Sequence, residues 1–500
     1  MKLLVTGGTG VVGTGTVTEL LRRGHIVVLL SRHAQADSRQ WESGVTPFPG
    51  DVSDEATIRG AGDGCDVVLH MVGIVDESGA STFQRVNVNG TANLLAESER
   101  AGIRRFIFVS SLGAPRGESG YHRSKREAEA LVRQARGSWT ICRPGNVYGP
   151  GDEQISTILR LVRAPTPLVP KVGSGDQPFQ PIWWEDLARA LATVVEREDL
   201  AGRELDIAGG EVTSQNDILA RLSQITGRNV HGVPVPEFIA GIGAKLVGMV
   251  GWDLGINEQG LTMLQEGNVI ADGETNALTA VLMVEPTSLD VGLRQLVDMQ
   301  PEQLPSDGVG TLKRKRYWAD IAGGKFSPEA LFALFRTHFN EVTPVFVDMN
   351  AEQTGDQIDE GQSITMSLPM RGHVQVRVAG LEPCRVTLLT VEGHPLAGAV
   401  RFICESRGEC VRFQVEAYDR AANVIDLIAM RSIGDRMQDQ TWMQVVEQMV
   451  DLSRGSAAAG LQHDSASLDE EEAKLIEAWI EELALARKRA EHTEQIQGAA

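Results

Sequence analysis

A strand that ends in a glycine-rich turn and runs straight into a helix constrains how this chain can begin to fold. Met1 to Glu19 reads MKLLVTGGTGVVGTGTVTE. Lys2 to Thr6 has the apolar character of a short buried strand, and Val11 to Leu21 carries helical apolar spacing. Between them stand Gly7, Gly8, Gly10 and Gly13. Such a turn needs backbone angles that a side chain would forbid. It also presents bare amides at a helix N-terminus, where the dipole favours a pyrophosphate. A lone GxGxxG is weak, but Gly8-x-Gly10-x-x-Gly13 placed between strand and helix predicts a dinucleotide site. Its expected members are Gly7, Gly8, Thr9, Gly10, Val11, Val12 and Gly13.

Later strands should bring their following loops to the same crevice, because ligands of parallel sheets sit outside the carboxyl ends of the strands. The second strand, His25 to Leu30, ends in Ser31-Arg32 without the carboxylate that takes the ribose hydroxyls of NAD. A guanidinium there suits a 2′-phosphate, so NADP(H) is expected, with NAD the alternative and a plain surface charge the bland reading of Arg32. Asp51-Val52 follows a weak third strand, Val45 to Phe48; Asp51 reads either as an acceptor for the adenine amino group or as a helix cap. Met71, Val72 and Gly73 follow the fourth strand, Asp66 to His70, whose histidine reads as packed. Phe83 to Ala101 reads as a helix. Phe106 to Val109 and Trp139 to Cys142 are the fifth and sixth strands, the latter leading into Arg143-Pro144 on an ordered loop.

Tyr121 and Lys125 are four residues apart on a predicted helix and share one face. A nearby ammonium stabilises a phenolate and is expected to lower the Tyr121 pKa from its usual value of about 10. Ser111, after the fifth strand, is placed to orient a substrate carbonyl. The expected catalytic set is Ser111, Tyr121 and Lys125. No metal-ligand spacing is present.

These stretches together resemble the short-chain dehydrogenase/reductase superfamily in its extended or atypical branch. The signatures are TGGTGVVG (Thr6 to Gly13), NVNGT (Asn87 to Thr91), VSSLGA (Val109 to Ala114), YHRSK (Tyr121 to Lys125), RPGNVYGPGD (Arg143 to Asp152) and QPIWWEDLA (Gln180 to Ala188). The resemblance covers roughly residues 1–300 and is greatest to the group containing the nucleotide-binding accessory subunit of respiratory complex I. It implies an α/β fold, a Rossmann-type doubly wound parallel sheet, with a substrate lobe from about 151–180 and 212–300. It also implies Tyr121 as general acid/base, Lys125 on the nicotinamide ribose, and Ser111 rather than Ser110 polarising the reacting oxygen. Asn87 (or Asn89) would support the central helix, and Asn87, Arg143 and Pro144 join the expected cofactor-binding set. Only ten positions separate Ser111 from Tyr121, shorter than in many sugar epimerases, which argues against a sugar-nucleotide substrate.

Residues 301–310 read as a linker by composition. Helix, meander of strands and long last helix over 311–453 resemble the START-like, polyketide-cyclase-like helix-grip fold, an α+β domain. That resemblance implies a cavity for an apolar ligand. Val386, Leu388, Phe413 and Val415 are its expected lining against the Asp435 to Val450 helix. The basic run Lys313 to Arg316 reads as a solvated strand start. Gly455 to Ser467 is expected to be disordered, and Ser467-x-x-Glu470 to cap a tail helix. Leu475, Ile476, Trp479, Ile480 and Leu483 give that helix one apolar stripe, for docking on a partner or on the chain itself. The apolar run Phe238 to Trp252 is too short to span a bilayer; it is read as a packed helix, or as a lipid-facing lip allowing peripheral membrane association.

A net charge of −20 argues against nucleic acid as a partner. Five cysteines without CxxC suggest reduced thiols and a cytoplasmic location. The N-terminus opens in a strand, so no signal peptide is expected. The leading expectation is an NADP(H)-dependent oxidoreductase or isomerase acting on a small, rather apolar carbonyl compound. A non-catalytic nucleotide scaffold or redox sensor, and a quinone- or lipid-handling protein, are the alternatives. The sequence leaves the oligomeric state open.

Overall fold

The computed structural model describes residues 1–164, 167–235, 268–323, 326–342, 348–349, 358–368, 372–429 and 435–498. The Phe238 to Trp252 run lies outside them. Among the described residues the first part of the chain has eleven strands: β1 (Lys2–Thr6), β2 (Ile26–Ser31), β3 (Val45–Pro49), β4 (Val67–His70), β5 (Arg105–Val109), β6 (Ser138–Pro144), β7 (Val147–Tyr148), β8 (Leu168–Val172), β9 (Ile182–Trp183), β10 (Arg203–Ile207) and β11 (His231–Val235). Seven of them make one parallel sheet in the order β3-β2-β1-β4-β5-β6-β10. That is the doubly wound Rossmann-type order, with its switch point between β1 and β4. Thr6 pairs with Leu30 on one side and His70 on the other, so the glycine turn, Ser31 and Met71 leave the sheet along one edge.

Both faces of this sheet are buried, and its strands are accordingly almost continuous apolar runs. Leu3, Val5, Leu29 and Leu69 pack against the Val11–Arg22 and Trp184–Glu196 helices; Leu4, Val68, Phe106 and Phe108 pack against the Gly90–Arg100 and Gly120–Gln134 helices. The helix expected from Phe83 starts instead as a π-helical segment, Gln84–Asn89, before the regular helix. The small lobe has its own core around Tyr148, Ile158, Leu159, Trp183, Leu222 and Leu293.

The second domain is an antiparallel sheet of β12 (Val309–Ile321), β13 (Asp348–Met349), β14 (Ser363–Leu368), β15 (Gly372–Glu382), β16 (Arg385–Thr390), β17 (Leu396–Arg407), β18 (Cys410–Ala421) and β19 (Gln462–Ser467), in the order β13-β14-β15-β16-β17-β18-β12-β19. Side-chain alternation sends Leu388 to one face and Leu389 to the other. The first face packs on the Pro328–Thr337 and Asp435–Ser453 helices, the second on the long Glu470–Gln497 helix.

Several expectations are corrected here. The positions expected to line a cavity are packed: Val386, Leu388, Phe413 and Val415 are buried, and the Phe335 ring sits 4.8 Å from Phe402 and 5.3 Å from Phe413. Lys315 is a buried ladder residue whose Nζ donates to Gln438 Oε1 at 2.5 Å, because β12 is covered by β18 on one side and β19 on the other. Gln462–Ser467, expected to be disordered, is strand β19. The tail-helix capping box is Asp469 with Glu472, two residues beyond the expected one. Its apolar stripe docks on the chain's own sheet through Ile480 and Trp479, while Leu475 is exposed.

The 301–310 segment is anchored rather than loose. Gln303 N donates to Thr390 O (2.8 Å), and Glu302 is buried between Arg377 of β15 (3.0 Å) and Arg487 of the last helix (2.5 Å). Burial pushes the Glu302 carboxyl up, but the two guanidiniums more than offset this and hold it below the usual carboxylate range. Removing one member of a buried pair strands the other charges, so Glu302→Ala should cost about 3–5 kcal/mol. Arg412→Ala, which breaks the more exposed pair with Asp320, should cost about 1 kcal/mol or less. Urea unfolding of the two variants, compared through their midpoints, checks the contrast.

Candidate active site

The glycine turn is shaped by close approach. Gly7 has φ of +72°, and a Cβ there would stand 2.8 Å from the Val72 amide nitrogen. A Cβ on Gly13 would stand 1.9 Å from Gly7 O, so the helix meets the strand backbone to backbone. Gly8 faces away from the cleft, where a Cβ would meet Leu29 at 2.6 Å; its part is packing against β2. Gly10 is different. Its nearest neighbour would be 3.9 Å away, and it N-caps the Val11–Arg22 helix without any side-chain cap. The first turn of that helix therefore opens with bare backbone on a cleft of ≈ 1340 Å³.

That cleft runs along the carboxyl edge of the sheet. Of the expected residues, Gly7, Thr9, Gly10, Val11, Val12, Gly13, Ser31, Arg32, Asp51, Val52, Met71, Val72, Gly73, Ser111, Tyr121, Lys125 and Pro144 all line it. Gly8, Asn87 and Arg143 do not. Arg143 is buried behind the wall in a double hydrogen bond to Glu129 (2.8 and 2.7 Å), with Glu204 beside it, so it ties β6 to the Gly120–Gln134 helix. Asn87 donates to Ser124 Oγ (2.9 Å) and Ile74 O (3.0 Å) and accepts from Ile74 N (2.9 Å). It pins the Gly73-Ile74 loop to the helix that carries Tyr121.

Ser119 caps that helix by accepting from His122 N, which sets Tyr121 in its first turn. The Tyr121 hydroxyl is hydrogen-bonded to Ser111. Both serines line the cleft, but the Ser110 hydroxyl donates to Glu129 Oε1 (2.7 Å), so Ser111 is the one bonded to Tyr121. Lys125 Nζ donates to Val109 O (3.0 Å) and lies over the Phe108 ring, with Gly73 leaving it room. Burial pushes the Lys125 ammonium down to about 8. Burial also pushes the Tyr121 phenol up to about 12, against the pull of Ser111. The expectation of a lowered Tyr121 is thus reversed, because desolvation outweighs the hydrogen bond. His70 is fully buried between Thr6 and Thr91, and burial pushes it down to about 3, so it is a neutral packing residue.

At the far end, the carboxylate missing directly after β2 arrives from farther along: Asp37 accepts from Ser31 Oγ (2.5 Å) and lines the cleft. Arg85 lines it too, bonded to Ser53 Oγ (3.2 Å). Neither carried a sequence signal, since a four-residue helix and an isolated arginine have no spacing to read. Asp51 accepts from Ser53 N (2.9 Å), while the following helix is capped by Asp54. The opposite end is mixed. Val147, Ile158, Leu161 and Phe179 are apolar, and Asn146, Gln154 and Asn268 form a chain of carboxamide hydrogen bonds (2.8 and 2.7 Å).

A family model described as the NAD dependent epimerase/dehydratase family matches residues 3–208. A ceramide reductase of Caulobacter vibrioides is 30% identical over 234 residues, which are 47% of this chain and 73% of that protein. A 3 beta-hydroxysteroid dehydrogenase/Delta 5→4-isomerase of Mycobacterium tuberculosis is 32% identical over 188 residues, 30% of this chain and 48% of that protein. Among solved structures, the UDP-glucose 4-epimerase of Thermotoga maritima covers 59% of this chain and 97% of its own at 21% identity, with a TM-score of 0.46.

The two glycine geometries predict opposite outcomes for one substitution. Gly13→Ala should cost more than about 2 kcal/mol, because backbone must move. Gly10→Ala, in open space at φ −77°, should cost less than about 1 kcal/mol. Thermal unfolding of both variants, with the wild type alongside, measures the difference.

Proposed function

The chain belongs to the NAD dependent epimerase/dehydratase family, and on that premise we propose that it is an NADP(H)-dependent oxidoreductase or isomerase of small, rather apolar carbonyl compounds. The observation that carries this is Tyr121, hydrogen-bonded to Ser111 at the mouth of the nucleotide turn, with Lys125 one helical turn below. The bare Gly10 backbone at an uncapped helix N-terminus suits a pyrophosphate. Thr9, Val11, Val12 and Gly13 would flank it, Asp51 and Val52 the adenine, and Met71 to Gly73 and Pro144 the nicotinamide half. The nicotinamide, when bound, supplies or accepts a hydride at C4.

The chain's own part is acid–base work and orientation. Ser111 holds the substrate oxygen. Tyr121, protonated up to about pH 12, is set to give its Oη proton to that oxygen as the carbonyl is reduced. In the reverse direction Tyr121 Oη takes the proton back from the alcohol oxygen. Lys125 holds the nicotinamide ribose. Apolar Val147, Ile158, Leu161 and Phe179 favour a substrate with little charge. The 311–453 domain is read as START-like from its element order, in a supporting role. An intact Ser111–Tyr121–Lys125 set favours chemistry over the scaffold reading drawn from the complex I group.

Tyr121→Phe should keep nucleotide binding and lower turnover about 10²–10⁴-fold. Full turnover in this variant would remove Tyr121 as the acid. For the wild type, the ammonium of Lys125 is present below pH 8 and lost above it. The kcat/KM for reduction should therefore hold through neutral pH and fall as pH rises past about 8.

The preference for NADP(H) rests on two guanidiniums, Arg32 and Arg85, at an end of the cleft where Asp37 already takes the Ser31 hydroxyl and Asp51 accepts from Ser53 N within the field of both arginines. A paired 2′-phosphate should favour NADPH over NADH by about 1.5–3 kcal/mol, or tenfold and more. Fluorescence titration of both nucleotides decides this, and equal affinity would overturn the assignment.

A further inference from the structure

The segment that discriminates the nucleotide is held from the far end of the chain. Ser31, Arg32, His33 and Asp37 line the end of the cleft where the reading above puts the 2′-phosphate. From Ala34 the chain makes one short helix, which ends at Asp37, and one 3₁₀ turn, and then buries Trp41, whose Nε1 donates to Thr18 Oγ1 (3.0 Å). Gln40 Nε2 closes this segment on itself by donating to Asp37 O (3.0 Å). Its outer side is covered by the Glu470–Gln497 helix. The His492 ring stacks on Trp41 at 5.6 Å with 15° between planes, and its Nδ1 donates to Gln40 O (2.9 Å). Glu482 pairs with Arg39, and Ile496 packs on the core under the first helix. The same helix is fixed upstream by Ile480 and Trp479 on the second sheet and by Arg487 on Glu302.

We propose that the Glu470–Gln497 helix is part of the nucleotide site, with His492 a positioning residue that sets the segment Arg32–Trp41 for 2′-phosphate recognition. The proposal rests on the nucleotide reading above. Among the described residues Arg32 makes no hydrogen bond and meets Asp51 only through charge, so the place of its guanidinium follows the backbone of this segment. The backbone in turn is fixed by Trp41 from inside and His492 from outside. A helix spanning about 42 Å at 1.5 Å per residue thereby links the second sheet to the adenosine end of the cleft. The link is reciprocal, so nucleotide binding must also steady the helix.

The test uses the full chain. NADPH and NADH are titrated by fluorescence into wild type, His492→Ala and His492→Gln, the last of which keeps a donor for Gln40 O. His492→Ala should lose about fivefold or more of NADPH affinity with little change for NADH, and His492→Gln should recover part of it. A role in folding alone would move both nucleotides together or neither, and that result overturns the proposal. Hydrogen exchange of wild type supplies a readout free of mutation: NADPH should slow exchange in the last three turns of the helix more than NADH does. Equal protection by the two nucleotides, or none, overturns the proposal even if His492→Ala fails to fold. A wild type that binds neither nucleotide fails the functional reading itself and takes this inference with it.

Discussion

The first helix can start where it does only because Gly13 lets its backbone come against the carbonyl of Gly7. That approach aims the helix N-terminus along the sheet's carboxyl edge. Everything in the cleft is then placed by the parallel register. β1 sits between β2 and β4, so the loops after those strands flank the turn, and β5 delivers Ser111 one strand farther on. The Gly120–Gln134 helix is oriented by a different device, the Glu129–Arg143 pair, neither member of which lines the cleft. Its carboxylate also takes the Ser110 hydroxyl, so one buried anion occupies one serine and leaves its neighbour to bond Tyr121.

The parts of this arrangement that were legible in the sequence are those with a fixed local period. The glycine spacing and the Tyr121–Lys125 step both lie within one element, so the residues alone place them. Reading failed where partners come from distant elements. Arg143 opens a motif that reads as a loop at the cofactor, yet it is still within β6 and its guanidinium faces Glu129, and nothing in RPGNVYGPGD says which way it points. Asp37 is six residues beyond Ser31 and reaches it only because Ala34–Asp37 coils back. The sign of the Tyr121 shift was missed for a related reason. Proximity to Lys125 is visible in sequence, whereas the burial that raises the phenol is a property of the closed fold.

In the second domain the same distinction holds. The alternating strands were readable, but the filling of the interior depends on Phe335, Phe402 and Phe413 meeting from three separate elements. Gly455 to Ser467 looked too polar to order. It is ordered because β12 presents a free edge to it, and backbone pairing needs no apolar side chain.

The stacking of His492 on Trp41 joins residues about 450 positions apart. During synthesis, the first domain has all seven of its sheet strands long before the residue that covers Trp41 leaves the ribosome. For that interval the Trp41 ring, beside the segment that follows β2, lacks the imidazole that stacks on it. Contacts of such sequence separation close late and slowly. The molecule thus matures in two stages: an early sheet with an incomplete outer surface, and a late event in which the second domain and the closing helix finish both at once.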